Sequence, residues 1–449
     1  MRLLLPHWFL THHAVSIISN LMVIVLVVSL LRQRARPVGN AIAWLLSIIL
    51  IPYFGIPLYL VFGGRKLKRR VQRKRRLEPD AIAKGGALES RAPSSLHSVQ
   101  WLDDGVLAYE TFLREIQNAQ RSIRIVTFVL ADDDAGRPLV AALLERARAG
   151  LEVRLLIDDL LRFHAPRGQL RELVAAGARV ERFMPLVHLP FLGHNNLRNH
   201  RKIALFDGKR AIAGGMNLGH EYMGPTADPQ RWRDLSLLVE GEAVHELDAV
   251  FRADWEFACG EVLSEPSKVP AGAIAVRVVP SGPDSASDPI YDADLTAIFR
   301  AEQRIWIATP YFVPDDALLR ALVIAVRRGV DVRVLTPTHS NHLLSDLASA
   351  SCLRDLSAAG VAIHQFGKML HAKTLLVDDS LCVVGSANFD MRSLFLNFEI
   401  ALFFSGAAEV ERLKSWFEAG FPTCRVGPSA VGPIRSAIDD VARLIAPLL

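Results

Sequence analysis

Two stretches of this 449-residue chain carry the same reactive side chains at the same spacing. The first reads HRKIALFD-GKRAIA-GGMN from His200, the second HAKTLLVD-DSLCVV-GSAN from His371. In each, a lysine follows the histidine by two residues (Lys202, Lys373), an aspartate by seven (Asp207, Asp378) and an asparagine by seventeen (Asn217, Asn388). Residues two apart in an extended chain project to one face, so imidazole and ammonium point together while the residue between them faces away. Two such units meeting about a pseudo-twofold axis would bring two imidazoles and two ammonium groups to one spot, with the asparagines as neutral donors. That is a pocket for a phosphate group that calls for no metal and no other cofactor. One neutral imidazole can attack phosphorus while the other, protonated, gives its proton to the departing alkoxide. An unperturbed imidazole pKa of about 6.5 suits both tasks. Asp207 and Asp378 stand at an odd offset from the lysines and read as fixing the turn or the packing of the two units, not as acid or base. Each ring is best oriented by a carboxylate on its far side; the candidates are Asp234, 34 residues after His200, and Glu399, 28 after His371.

The elements that must hold these groups also occur twice. Residues 123–130 and 153–157 read as strands flanking an amphipathic helix over 138–149; residues 305–309, 315–328 and 332–335 repeat the strand, helix and strand. Alternation of this kind predicts an α/β fold with two pseudo-symmetric halves and mixed sheets. The residues between each motif lysine and aspartate are apolar and Asp-Gly or Asp-Asp follows, so each motif is expected on a β-hairpin.

Composition separates a second part of the chain. Residues 15–31 and 41–62 are apolar runs without charge, each close to the roughly 20 residues that cross hydrocarbon. Pro52, Gly55 and Pro57 interrupt the second, which allows a kinked or re-entrant segment. Thirteen of the 52 Lys/Arg fall before residue 77, where there is no acid, so the remaining 39 face 47 acids. The basic run from Arg65 through Arg76 is therefore expected at anionic headgroups on the cytoplasmic side, not on nucleic acid. The four cysteines form no CxxC pair and no zinc spacing, which excludes a disulfide framework as the organising principle. The expected order is a two-segment membrane anchor (1–64), a basic juxtamembrane stretch and linker (65–98), two halves (99–265 and 266–427) and an amphipathic C-terminal segment (428–449).

The paired HxKx₄D motifs, each followed by Gly-[Gly/Ser]-x-Asn, resemble those of the phospholipase D superfamily. Further stretches resemble its bacterial cardiolipin synthases: AIAWLL and PYFGIPLYLVFG within residues 41–63, RNHRK around His200, SGPD from Ser281, IATPYFVP over 307–314 and NFDMRSLFLNFE over 388–399. The likeness covers essentially the whole chain. It implies a duplicated phospholipase D-type domain, a multi-pass place in the inner membrane with the catalytic part cytoplasmic, and phosphatidylglycerol and cardiolipin as partners. It implies that His200 is the nucleophile, that His371 is the acid that later acts as base, and that Lys202, Lys373, Asn217 and Asn388 hold the phosphate. Two departures stand out: residues 127–136, TFVLADDDAG, lack the tyrosines usual there, and residues 186–193, LVHLPFLG, are unusually apolar. A phospholipase D hydrolase or another phosphatidyltransferase would use the same site; complete motifs in both halves argue against a non-catalytic membrane adaptor, and the net acidic soluble part ranks a nuclease last.

Overall fold

The computed structural model describes residues 38–51, 93–184, 197–267, 269–285, 287–428 and 431–445, with Ile24, Tyr53, Gly55 and Ile56. The first apolar run (15–31), the basic run (65–76) and residues 186–193 lie outside the described residues, Ile24 excepted. Helix α1, Val38–Leu50, belongs to a small unit distinct from the main body. It has 13 residues and stops just short of Pro52, where the missing amide ends the ladder. No helix among the described residues is long and apolar enough to cross a membrane. Leu46, Ile49, Leu50 and Ile51 are nevertheless exposed.

In the main body the chain forms β1 (Ser94–Leu96), β2 (Ser98–Leu102), α2 (Gly105–Asn118), β3 (Ser122–Thr127), α3 (Gly136–Arg148), β4 (Glu152–Asp158), α4 (Arg167–Ala175), β5 (Arg179–Phe183), β6 (Ile203–Phe206), β7 (Arg210–Gly214), β8 (Ser236–Glu240) and α5 (Ala243–Cys259). The order then recurs as β9 (Ile274–Ser281), α6 (Pro289–Arg300), β10 (Arg304–Ala308), β11 (Phe312–Val313), α7 (Asp316–Arg327), β12 (Asp331–Pro337), α8 (Leu343–Ala358), β13 (Ala362–Phe366), β14 (Thr374–Val377), β15 (Leu381–Gly385), β16 (Phe389–Asp390), α9 (Met391–Phe395), β17 (Glu399–Phe404), α10 (Ala407–Gly420), β18 (Cys424–Val426) and α11 (Pro433–Ile445).

Two mixed sheets result, ordered β2-β8-β7-β6-β3-β4-β5 and β1-β9-β17-β15-β14-β10-β12-β13-β18. Strands joined through helices run parallel (β3-β4-β5, β10-β12-β13), because a crossover helix returns the chain to the same end. Strands joined by tight turns run antiparallel, including β6-β7 and β14-β15 after the two motifs. The duplicated α/β architecture is thus as expected. One boundary differs: residues 94–96, assigned to the linker on composition, form β1, which pairs with β9 in the sheet of the second half. Three residues with a single buried side chain, Leu96, leave too short a pattern to read as a strand.

The turn aspartates have the same place in both hairpins. Asp207 (φ 55°) and Asp378 (φ 52°) take the left-handed backbone conformation that aspartate tolerates better than most residues. The Asp207 carboxylate accepts from the amides of Gln120, Arg121 and Ser122 at 2.7–3.0 Å. Asp378 accepts likewise from Glu302, Gln303 and Arg304. Each ties its hairpin to the start of the central strand β3 or β10, at the end remote from the histidine.

One apolar cluster is shared by both halves, with Leu205, Leu237 and Phe251 from the first and Leu376, Leu402 and Phe417 from the second. Polar groups cross the same seam. Arg201, the residue between His200 and Lys202, turns away from the motif and forms a two-pronged ion pair with Asp254 of α5 at 2.7 and 2.8 Å. It also donates to the carbonyls of Glu399 and Ser281 in the other half. Asn199 completes the network on Asp254 at 2.9 Å. Both charges are fully buried, so removing one strands the other. Asp254→Ala is expected to cost about 3–5 kcal/mol of stability, checked by its denaturant midpoint; a midpoint within error of wild type would contradict this account. The C-terminal helix α11 packs on α8 through Arg354–Asp439 and Arg443–Asp355, both 2.6 Å.

Candidate active site

The histidines sit in the extended lead-in to β6 and β14, one turn of pleat before each strand begins, and not within the hairpin itself. Backbone contacts across the seam fix both. The His200 amide donates to the Phe398 carbonyl (2.9 Å) and the Phe398 amide to the Arg198 carbonyl (2.8 Å). In the mirror relation, His371 donates to Arg233 (2.7 Å) and Arg233 to Met369 (3.0 Å). Each stitch joins a motif histidine to the residue just before a candidate acid of the opposite half.

The carboxylates are exchanged accordingly. Glu399, in the second half, lies 3.0 Å from Nδ1 of His200 in the first. Asp234, in the first half, lies 2.6 Å from Nδ1 of His371 in the second. Chain distance pointed to these two acids but not to the crossing, which only the stitched backbones produce. The two acids are braced differently. A Cβ on Gly215 would lie 2.2 Å from Asp234 Oδ1, so that carboxylate needs a glycine beneath it. At the matching position Ser386 donates its hydroxyl to the longer Glu399.

Lys202 and Lys373 turn to the same side as their histidines. Lys202 donates to the His200 carbonyl at 2.6 Å; the Lys373 ammonium lies against the His371 ring, 3.0 Å from Nε2. Asn217 accepts from the Val129 amide at 3.2 Å and shares a hydrogen bond with the buried Tyr222. Asn388 is buried, and its side-chain oxygen has no partner among the described residues. Eight of the ten residues singled out from the sequence therefore gather on the seam; Asp207 and Asp378 stand at the far ends of the hairpins.

Three aromatic neighbours carried no sequence signal. Tyr222 meets the His371 ring edge-on at 5.0 Å and Trp232 lies 5.5 Å from it, whereas His200 has Phe128 at 5.0 Å. Tyr222 and Trp232 lie in irregular stretches where periodicity is silent, and Phe128 stands just past the end of β3 at Thr127, within residues read as a strand.

Electrostatics follow from this burial. Desolvation brings His200 down to about 4 against the pull of Glu399, with Lys202 pushing the same way as burial. Desolvation and then Lys373 bring His371 to about 3, against Asp234. Burial also lowers Lys373 to about 8 and takes Lys202 well below its usual value. Burial would raise Asp234 and Glu399, but the facing imidazoles and lysines outweigh it and hold both below the usual carboxylate range. Both rings are thus neutral in the free centre at neutral pH.

This has a consequence for stability. Between about 6.5, the unfolded value, and the folded values near 4 and 3, the unfolded chain binds more protons than the folded one. Unfolding free energy should therefore fall as pH drops below about 6.5 and keep falling toward 4. A thermal-midpoint series from pH 7 to 5 should show a shallower slope for His371→Asn than for wild type; equal slopes would refute the assignment.

Comparison with known proteins places the chain in a family. Residues 112–255 and 295–420 match the family described as "Cardiolipin synthase, PLD-like domain", and residues 21–64 match a phospholipase D-nuclease N-terminal family. The chain is 34% identical to a cardiolipin synthase of Geobacillus kaustophilus, over 95% of this chain and 91% of the relative. It is 33% identical to cardiolipin synthase 1 of Bacillus cereus, over 86% and 84%. A phosphatidylserine synthase of Haemophilus influenzae shares the fold, with a TM-score of 0.61 at 13% identity over 85% of this chain and all of that one. The chain is an enzyme that belongs to the cardiolipin synthase family, with two phospholipase D-like domains.

Proposed function

We propose that this enzyme joins two phosphatidylglycerols into cardiolipin and releases glycerol, through a phosphatidyl-histidine. The observation that carries the reading is the pair of imidazoles on one seam, each held by a carboxylate from the opposite half. In the first step Nε2 of His200 attacks the phosphorus of one phosphatidylglycerol, with Nδ1 hydrogen-bonded to Glu399. The P–O bond to glycerol breaks and the leaving oxygen takes a proton from His371. In the second step the terminal hydroxyl of another phosphatidylglycerol gives its proton to His371, its oxygen bonds to phosphorus and the P–N bond breaks. Lys202, Lys373 and Asn217 stabilise charge on the non-bridging oxygens. The open side-chain oxygen of Asn388 is an acceptor suited to an alcohol O–H. A bound phosphodiester anion favours a protonated imidazole beside it, raises the low histidine values and lets His371 act as acid.

The lipid substrates call for a membrane site. In this reading the two N-terminal apolar runs anchor the enzyme in the inner membrane, and the basic run at Arg65 through Arg76 rests on anionic headgroups of the cytoplasmic leaflet. The decisive experiment incubates the full chain in detergent with phosphatidylglycerol and EDTA and resolves the products. Cardiolipin and glycerol are expected; phosphatidic acid alone would make the enzyme a hydrolase, and loss of turnover in EDTA would overturn the metal-free chemistry.

A further inference from the structure

The catalytic centre is nearly symmetric, but its two substrates are not. The donor's phosphate is attacked, whereas the acceptor brings a second phosphate that only has to be held while its hydroxyl reacts. The seam provides one set of phosphate-binding groups. Beyond it, the first half has a cleft of roughly 500 Å³ at the carboxyl ends of β4 and β5, with Arg162, Arg167, Arg171 and Arg182 in its wall. Ligands of open α/β sheets settle at this end of the strands.

The chemistry of the cleft is that of an anionic amphiphile. Ile157, Ala165, Leu170, Val174 and Val180 also line it. Phe163, 62% exposed, lies between the guanidinium groups of Arg162 and Arg167 at 4.6 and 4.8 Å. Arg162 and Arg182 share Asp159, whereas Arg167 and Arg171 make no ion pair among the described residues. Planar guanidinium groups over an apolar wall suit a phosphodiester attached to a hydrocarbon chain. Asp158 adds no net negative charge to the cleft, because Arg198 pairs with it. It also locates the cleft: it lines the wall and accepts from the Asn199 amide at 2.9 Å, one residue before His200. The connection between β12 and α8 in the second half, residues 338–342, reads THSNH and has no lysine or arginine where the first half's connection has Arg162.

We propose that this cleft binds the phosphodiester and proximal acyl chain of the acceptor lipid, with Arg167 and Arg171 as the anion-binding pair. The proposal rests on the synthase reading above. Acceptor binding can be isolated because labelled glycerol exchanges into phosphatidylglycerol through the first step and its reverse: glycerol leaves, labelled glycerol attacks the phosphatidyl-histidine, and no second phosphate is needed.

The test uses the full chain in mixed micelles with varied phosphatidylglycerol mole fraction. R167Q/R171Q removes both charged contacts and is expected to raise the half-saturating fraction for cardiolipin formation at least about tenfold, the scale of a single such contact, while glycerol exchange stays within twofold of wild type. R167K/R171K should recover most of the difference. Equal loss of both reactions, or no change in either, overturns the proposal. Inorganic phosphate serves as a second probe: competition in wild type that R167Q/R171Q lacks, with acceptor dependence unchanged, would assign the cleft to a free anion and overturn its lipid assignment. A wild-type enzyme that forms phosphatidic acid and no cardiolipin would defeat the synthase reading itself, an outcome distinct from all of these.

Discussion

His200→Ala and His371→Ala are each expected to lower cardiolipin formation by at least about 10⁴-fold, the cost typical of removing a nucleophile or its partner base. The fold should survive both changes. The His200 ring is half-buried and makes its polar contacts at the centre, and the backbone amides of both histidines remain stitched to Phe398 and Arg233 whatever the side chain. Circular dichroism should therefore stay close to wild type, while thermal midpoints fall because Glu399 or Asp234 loses its buried partner. The two variants should differ in what accumulates. Without His371 the nucleophile is intact, so a substrate analogue with a good leaving group, which needs no acid, should still label His200. Without His200 no label should form. Labelling of His371 in the His200→Ala protein would reverse the assignment of nucleophile and acid.

The second large effect concerns the exchanged carboxylates. Glu399→Gln and Asp234→Asn keep shape but remove the charge behind a ring, and turnover should fall about 10²–10⁴-fold in each. The crossing makes a distinguishing forecast. Carboxylate loss at 399 should change the reactivity of His200, and loss at 234 that of His371, when imidazole acylation is mapped by peptide analysis. The opposite pattern, with each acid acting on the histidine of its own half, would refute the geometry at 3.0 and 2.6 Å.

How much of this was legible beforehand depends on range. The repeated His, Lys, Asp and Asn, the strand-helix-strand order and the α/β class follow from short spacings and from period, which the sequence displays directly. Strand β3 and helix α3 fall within a few residues of their expected places for that reason. The acids were reachable from their chain distance to the motif histidines, but their crossing was not, since it depends on bridges between Asn199 and Phe398 and between Arg233 and Leu370. No local pattern encodes a contact over that separation. Tyr222, Trp232 and the arginine-lined cleft were missed for a related reason: they lie in connections, where the fold and not the period decides what meets. The hairpin placement was off by two or three residues because apolar alternation marks where pairing can begin and the seam decides where it does.

Strand β1 has a consequence for how the protein is made. Ser94 pairs with Val276, so the ribosome has about 180 residues still to add when β1 emerges, roughly ten to forty seconds at ordinary elongation rates. Through that interval the whole first half can be completed while this short segment has no partner. Closure of the larger sheet on β1 is then a late event in biosynthesis, and a nascent chain arrested before residue 274 would present an unoccupied segment to chaperones that a released chain conceals.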